Sequence, residues 1–232
     1  MGKPFVSAII VAAGNGSRMN AGRNKQYLYL NGKPILVHTL KAFEKCGSID
    51  EVILVISAQD AALCREEVLA TNGFKKIKAL VFGGQTRQES MYNGLREVSK
   101  QAEIVVTHDG ARPLIHTKTL TQCVEETITH GATIVAVPVK ETIKMVGDDL
   151  EVIDTPKRSC LWSVQTPQTF RRELLEEAHK SAKEAGFLGT DDAMLVERLG
   201  HPVKVVKGHY ENIKITTPED LILAESIFQR LL

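Results

Sequence analysis

Five short apolar runs without polar alternation set the frame of this chain: Ser7 to Ala13, Val52 to Ile56, Ile77 to Phe82, Ile104 to Thr107 and Ala132 to Val137. A strand with one face in water alternates apolar and polar positions, so uninterrupted runs predict strands buried on both faces, as in a mainly parallel sheet. Segments with helical period lie between them: Ile35 to Phe43, Ala61 to Leu69 behind Asp60 as N-cap, Gln88 to Val98, and Lys118 to Thr129 behind Thr117. Strand and helix alternate through Val137, as βαβ units require. After Pro138 the rhythm breaks. Thr142 to Val146 and Leu150 to Asp154 are two β-like pieces joined by Gly147-Asp148-Asp149, a hairpin signal that predicts an arm projecting from the sheet. Alternation resumes with a helix from Arg171 to Ala185, strands at Val203 to Val206 and Ile213 to Thr216, and a C-terminal helix opening at Pro218, where proline suits the first turn. The pattern predicts one α/β domain over residues 1–232, with a mainly parallel central sheet and a β-arm at about 138–161.

Composition narrows the function classes. The 232 residues carry 29 Lys+Arg against 28 Asp+Glu, with one Trp, four Tyr and seven Phe. Binding to a nucleic-acid backbone needs a broad basic excess, and base stacking needs aromatics, so neither RNA nor DNA is an expected partner. Cys46, Cys64, Cys123 and Cys160 form no CxxC pair and have no histidine at zinc-finger spacing, and they read as reduced, inert thiols. The N-terminus lacks the apolar stretch and cleavage site of a signal peptide, and no apolar run approaches the roughly 18–20 residues needed to span a bilayer. A cytoplasmic protein without membrane contact is expected.

The most informative segment is Ala12-Ala13-Gly14-Asn15-Gly16-Ser17-Arg18-Met19, directly after the first strand, followed by Lys25-Gln26. Glycines at 14 and 16 let backbone N–H groups approach an anion, and loops at the carboxyl end of parallel strands are where α/β sheets bind ligands. The third glycine of the dinucleotide fingerprint is replaced by Met19, and the next strand ends at Ser57 without an acidic residue to hold a ribose. No Gly-Lys-Ser/Thr follows either, which removes the P-loop reading. What remains is two cations, Arg18 and Lys25, flanking a loop of small residues. Phosphoryl and nucleotidyl transfer rely on this kind of positioning and charge stabilisation rather than on covalent help.

Seven segments in order resemble the 2-C-methyl-D-erythritol 4-phosphate cytidylyltransferase family over essentially the whole chain. They are Gly14-x-Gly16-x-Arg18-Met19 with Lys25-Gln26, Gly83-Gly84-x-x-Arg87-x-x-Ser90, His108-Asp109-x-Ala111-Arg112-Pro113, Pro138-Val139-x-x-Thr142-Ile143-Lys144, Trp162-x-x-Gln165-Thr166-Pro167-Gln168-x-Phe170, Thr190-Asp191-Asp192 and Asn212-Ile213-Lys214-Ile215-Thr216. The resemblance implies a Rossmann-like nucleotidyltransferase domain of the non-mevalonate route to isoprenoid precursors. It implies transfer of CMP from CTP to the methylerythritol phosphate, with pyrophosphate released and Mg²⁺ as divalent cofactor. Arg18, Lys25, Arg158 and Lys214 are the catalytic residues so implied. The first pair stabilises charge on the α-phosphorus and leaving pyrophosphate, and the second orients the sugar phosphate.

The nucleotide contacts implied are Ala12, Ala13, Gly14, Asn15, Gly16, Gly84, Gln85, Arg87, Ser90, Asp109 and Ala111. Gly83-Gly84 closes a strand and opens a helix near Arg87, whose free N–H groups suit polar groups of a nucleotide. Asp109 ends a strand where a carboxylate suits either a ribose hydroxyl or magnesium, and the two stay open. His108 reads as scaffold, since an ionised phosphate needs no histidine base. The acceptor side comprises Arg112, Thr142, Arg158, Thr166, Thr190 and Lys214, the last placed within the strand predicted at Ile213 to Thr216. Asp191 and Asp192 also suit N-cap and first-turn acids. A hairpin leaving its sheet has two open edges, which pairing with a second copy covers. The resemblance makes this a homodimer in which Thr142 and Arg158 reach the partner's substrate. An enzyme of the same chemistry acting on ribitol 5-phosphate is the nearest alternative, although Pro138 to Lys144 and Thr190-Asp191-Asp192 look more like the methylerythritol enzyme. A non-catalytic nucleotide-sensing domain is the alternative from another class, and cations on both the leaving-group and acceptor sides count against it.

Overall fold

The computed structural model describes residues 2–14 and 23–231, so the expectations for Asn15, Gly16 and Arg18 lie outside the described residues. The chain opens with β1 (Val6–Ala12), then a short hairpin β2 (Tyr29–Leu30) and β3 (Lys33–Pro34), and α1 (Ile35–Lys45). It continues through β4 (Glu51–Ile56), α2 (Ala61–Leu63), β5 (Ile77–Phe82), α3 (Arg87–Leu95), β6 (Ile104–Asp109), α4 (Thr117–His130) and β7 (Ala132–Pro138). The arm contributes β8 (Met145–Val146) and β9 (Val152–Asp154), followed by β10 (Trp162–Arg171), α5 (Arg172–Glu184), α6 (Asp192–Arg198), β11 (Lys204–Lys207) and α7 (Pro218–Leu231). Seven strands form the central sheet in the order β11-β7-β10-β6-β1-β4-β5, and β8 and β9 pair only with each other.

The unalternating runs are buried on both faces for the reason their pattern gives. Side chains of β1 point to opposite faces in turn, so Ala8, Ile10 and Ala12 pack with Leu36, Leu40 and Phe43 of α1 and Leu120 and Val124 of α4. Ile9 packs on the other face, in the cluster with Met91 of α3, Leu175 of α5 and Val196 of α6. Helices cover both faces, as a parallel sheet requires. α7 closes a smaller cluster, where Ala224 and Ile227 meet Leu30, Ile35 and Ile215.

Four expectations change. The polar, proline-stiffened segment Gln165 to Gln168, whose composition predicts a loop, lies within β10, a ten-residue strand paired antiparallel to both β6 and β7. A bulge between Val164 and Gln168 accommodates Pro167, which has no N–H for the ladder. Ile213 to Thr216 is no strand. It runs beside the β6–α4 loop, with Ile215 N–H donating to Ala111 O at 2.9 Å. The helix expected at Ala61 to Leu69 is one turn of α2 followed by π-helix over Cys64–Leu69, and Asp60 accepts no capping bond there. The arm pieces are shorter than the sequence implied, and Thr142 and Leu150 lie outside the strands. Among the described residues, no helix is long and apolar enough to cross a membrane.

The strand order positions the site. β1 connects onward to β4 on one side, whereas β6 connects to β7 on the other, so the carboxyl ends of β1 and β6 flank the point where the winding reverses. Crevices in open α/β sheets form at that point.

Candidate active site

Two adjoining cavities open at this edge. The first, of about 360 Å³, is lined by Ala12, Ala13, Gly14, Lys25, Gly84, Gln85, Arg87, Ser90, Asp109, Ala111 and Lys214 among others. Every described member of the expected nucleotide set lines it. The second, of about 760 Å³, lies between the base of the arm and α7, with Arg112, Lys140, Gln165, Arg230 and Lys214 in its wall. Among the described residues, Lys214 alone lines both.

The first loop is pinned at its return. Gln26, 2% exposed, donates to Ala12 O at 2.7 Å and to Gly14 O at 3.2 Å. Asn24 donates to the buried Asp60 carboxylate at 2.7 Å, which fixes the approach to Lys25. Just past the ends of β1 and β5, a Cβ at Gly83 would run into the Ala13 Cβ and lie 2.8 Å from Ser90 Oγ, so glycine is required by packing. The free N–H groups expected after it are already bonded. Ser90 Oγ accepts from Gly84 N–H at 3.1 Å, Glu89 accepts from Gln85 N–H at 2.7 Å, and Thr86 with Glu89 forms a capping box. Gly84 and Ser90 thus shape the wall, and their bonds face inward.

Asp109 is the electrostatic centre. Its Oδ2 lies 2.9 Å from Lys214 Nζ and 3.6 Å from Arg112 Nε, and its Oδ1 lies 3.9 Å from Arg87 Nε. Burial alone would raise its carboxyl pKa, but Lys214, Arg87 and Arg112 outweigh that and hold it at about 2. Arg87 is occupied on its other side by Asp192, at 2.9 Å, and it reaches the cavity already carrying two carboxylates. Arg112 Nη1 donates to Asn212 O at 2.8 Å, and the Asn212 amide donates to Thr166 O at 2.9 Å. These bonds tie the Lys214 segment to β10 and to the β6–α4 loop.

Thr166 was expected to offer its hydroxyl to substrate; the structure places it elsewhere. It is 5% exposed, accepts from Asp109 N–H at 3.1 Å and lies 3.0 Å from His108 Nδ1. His108 Nε2 lies 3.3 Å from Arg112 O, which can only accept, so the proton is on Nε2 and the Thr166 hydroxyl donates to Nδ1. Burial lowers the His108 pKa to about 3, so the ring is a neutral bridge. Thr190 is exposed, donates to Met194 Sδ at 3.7 Å and lines neither cavity. Thr142 and Arg158 are exposed on the arm and line neither cavity, Arg158 donating to Lys140 O at 3.0 Å. Asp191 is the N-cap of α6, as expected, accepting from Met194 N–H at 2.9 Å.

Asp109 is the one carboxylate among the residues lining the nucleotide cavity, and the described residues hold no group of three or more His, Cys, Asp or Glu side chains placed to cage a metal. That donor set suits magnesium carried on phosphate oxygens with a single carboxylate, and does not suit a protein-held ion.

The family model IspD, 2-C-methyl-D-erythritol 4-phosphate cytidylyltransferase, matches residues 6–230. The chain belongs to this family. The 2-C-methyl-D-erythritol 4-phosphate cytidylyltransferase of Alkaliphilus metalliredigens is 49% identical over 97% of this chain and 93% of its own length. That of Geobacillus kaustophilus is 50% identical over 95% of each. Among solved structures, 4-diphosphocytidyl-2C-methyl-D-erythritol synthase from Anaerococcus prevotii superposes with a TM-score of 0.87 at 36% identity, covering 98% of this chain and 97% of that one. The Thermus thermophilus cytidylyltransferase gives 0.79 at 32%, covering 97% and 99%. The chain is therefore a cytidylyltransferase, and the neutral, buried His108 of this cytidylyltransferase belongs to its framework.

A native-state pKa below the unfolded value means the unfolded chain binds the extra proton first. His108 therefore favours folding fully above pH 6.5 and less as pH falls from 6.5 toward 3. Denaturant unfolding of His108→Gln is expected to lose less stability than the unsubstituted enzyme between pH 7 and about pH 4.5. Parallel pH profiles would contradict the neutral assignment.

Proposed function

We propose that this cytidylyltransferase transfers CMP from CTP to 2-C-methyl-D-erythritol 4-phosphate, giving 4-CDP-2-C-methyl-D-erythritol and pyrophosphate in isoprenoid precursor synthesis. The observation that carries the reading is the junction of two cavities at Lys214. A group transfer needs donor and acceptor side by side with a cation where they meet, whereas nucleotide sensing needs only one pocket.

CTP lies in the first cavity, against the Gly14 loop, with Lys25 beside the triphosphate; Arg18, the other cation expected there, lies outside the described residues. The acceptor phosphate enters the second cavity, whose wall carries Arg112, Lys140, Lys214 and Arg230 against Glu141 and Glu211. An oxygen of that phosphate forms a bond to the α-phosphorus as the bond from the α-phosphorus to the bridging oxygen breaks, and the electron pair leaves on pyrophosphate. The attacking phosphate is already ionised, so no base is required, in keeping with a neutral His108. Lys214 holds the phosphate in line, and Asp109 fixes Lys214 at 2.9 Å without cancelling the surrounding charge, because three cations share that one carboxylate. Mg²⁺ would be carried on the triphosphate oxygens, with Asp109 the carboxylate that the described lining of this cavity offers it, and would neutralise phosphate charge.

The arm completes the reading. Leu150 is 84% exposed and Ile153 69% exposed, and Met145, Val146 and Val152 are also open, an apolar surface on a two-stranded sheet that pairs with no other strand among the described residues. Such a hairpin is marginal alone, and a second copy covers it. In that homodimer, Thr142 and Arg158 serve the partner's acceptor cavity.

Pyrophosphate release is expected with CTP and the methylerythritol phosphate, at least about tenfold faster than with ribitol 5-phosphate or with UTP. A preference for ribitol 5-phosphate, or silence with every acceptor, would refute the assignment. Co-expressed Arg158→Ala and Lys25→Ala chains, each inactive alone, are expected to regain up to about a quarter of normal activity, because in one mixed dimer a site has both residues intact. No recovery would place Arg158 in its own chain's site.

A further inference from the structure

Asp192 lines neither cavity, yet it is 1% exposed and charged. It stands in the first turn of α6, where an acid ordinarily complements the helix dipole from solvent. Here its Oδ2 accepts from Arg87 Nη2 at 2.9 Å and from Thr107 Oγ at 3.1 Å, and its Oδ1 lies 3.5 Å from the Nε2 of buried His179. Its backbone N–H and that of Ala193 both donate to Gln168 Oε1, at 3.2 and 3.1 Å. Helix α6, β6, β10 and α5 converge to hold one carboxylate in place. A buried carboxylate is costly unless paired, so the partner defines what it is for.

That partner is Arg87, which stands between two acids. It makes a direct bond to Asp192 and only a 3.9 Å approach to Asp109. Asp109 meanwhile faces Lys214 at 2.9 Å and Arg112 at 3.6 Å. Three cations compete for one carboxylate, and a guanidinium fork that can bond both oxygens outcompetes an ammonium on a flexible stem. The direct bond to Asp192 keeps Arg87 from making that bidentate pair, which leaves Asp109 Oδ2 to Lys214. Resting on the function proposed above, we propose that Asp192 is a positioning residue for the acceptor: by retaining Arg87, it reserves Asp109 for Lys214 at the junction of the two cavities.

The test is steady-state kinetics with the methylerythritol phosphate at saturating CTP, comparing Asp192→Asn, Arg87→Met, Lys214→Ala and their combinations. Asp192→Asn frees Arg87 to take Asp109, so the acceptor KM is expected to rise about tenfold, with a smaller change in kcat. Adding Arg87→Met removes the competitor and is expected to return the acceptor KM to within about threefold of normal, although CTP binding weakens. In the Lys214→Ala background, Asp192→Asn is expected to add nothing to the acceptor KM. An unchanged KM in Asp192→Asn, no recovery on adding Arg87→Met, or effects of Asp192→Asn and Lys214→Ala that multiply would each overturn the proposal. If Asp192→Asn alone does not fold, the Asp192→Asn/Arg87→Met pair, which leaves no unpaired buried charge, decides: a near-normal acceptor KM supports the proposal and a tenfold rise overturns it. Failure of the unsubstituted enzyme to transfer CMP overturns the functional reading and this inference with it, whereas normal transfer with unaltered Asp192→Asn kinetics overturns this inference alone.

Discussion

Asp109 sits 8% exposed at the carboxyl end of β6, and burial at that level would favour its neutral form if nothing opposed it. Arg87, Arg112 and Lys214 oppose it, and each arrives from a different part of the chain. Arg87 opens α3, Arg112 follows β6, and Lys214 comes from the segment before α7. One carboxylate thereby draws three loops to one point. Two of the three cations are anchored again on their far sides, Arg87 by Asp192 and Arg112 by Asn212 O. The cluster keeps an excess of positive charge at the crevice, which is what two phosphorylated substrates require. A chain whose 29 cations nearly balance 28 anions still offers a strongly cationic site, because its charge is local.

The sheet makes that concentration durable. β1, β4 and β6 are buried almost throughout, and β1 is paired with β4 as far as Ala12 and with β6 as far as Val11 opposite Asp109, so Ala12 and Asp109 keep a fixed relation. β10 is inserted between β6 and β7, and its polar residues serve as brackets. Gln168 bonds Asp191 and the backbone of Asp192 and Ala193, Thr166 bonds Asp109 and His108, and Gln165 bonds His209 O and the Asn212 amide. Bonded buried polar groups favour one arrangement among many, although Thr169 Oγ1 on the same strand is buried without a partner. The site is rigid because the strand behind it is polar.

That polarity explains where the sequence was legible and where it was not. The parallel strands and α1, α3, α4, α5 and α7 follow from apolar periodicity, and the Gly14 loop, Lys25 and Asp109 stood out by their types and positions, whereas Lys214 came from the family resemblance, the strand expected around it being absent. β10 escaped because Gln165, Thr166, Gln168 and Thr169 are buried polar residues flanking a proline, and periodicity counts such residues as surface. Ile213 to Thr216 misled in the opposite sense: its Ile-x-Ile alternation serves packing under α7, with Ile215 in the α7 cluster, and only Ile215 bonds the neighbouring loop in the manner of a strand. The capped N–H groups after Gly84 were readable, since Thr86-Arg87-Gln88-Glu89 has the spacing of a capping box. Asp192 was not readable, because it meets Arg87 across 105 residues of sequence and carries no local mark of burial.

The central claim is that donor and acceptor meet at Lys214. A structure of the enzyme with a non-hydrolysable CTP analogue, Mg²⁺ and the methylerythritol phosphate tests it most directly. The account predicts the nucleotide α-phosphorus in the cavity of Gly14, Lys25 and Asp109, with an acceptor phosphate oxygen about 3–3.5 Å from it and within hydrogen-bond reach of Lys214 Nζ. An acceptor phosphate bound away from Lys214, or a nucleotide seated in the cavity beneath the arm, would contradict it.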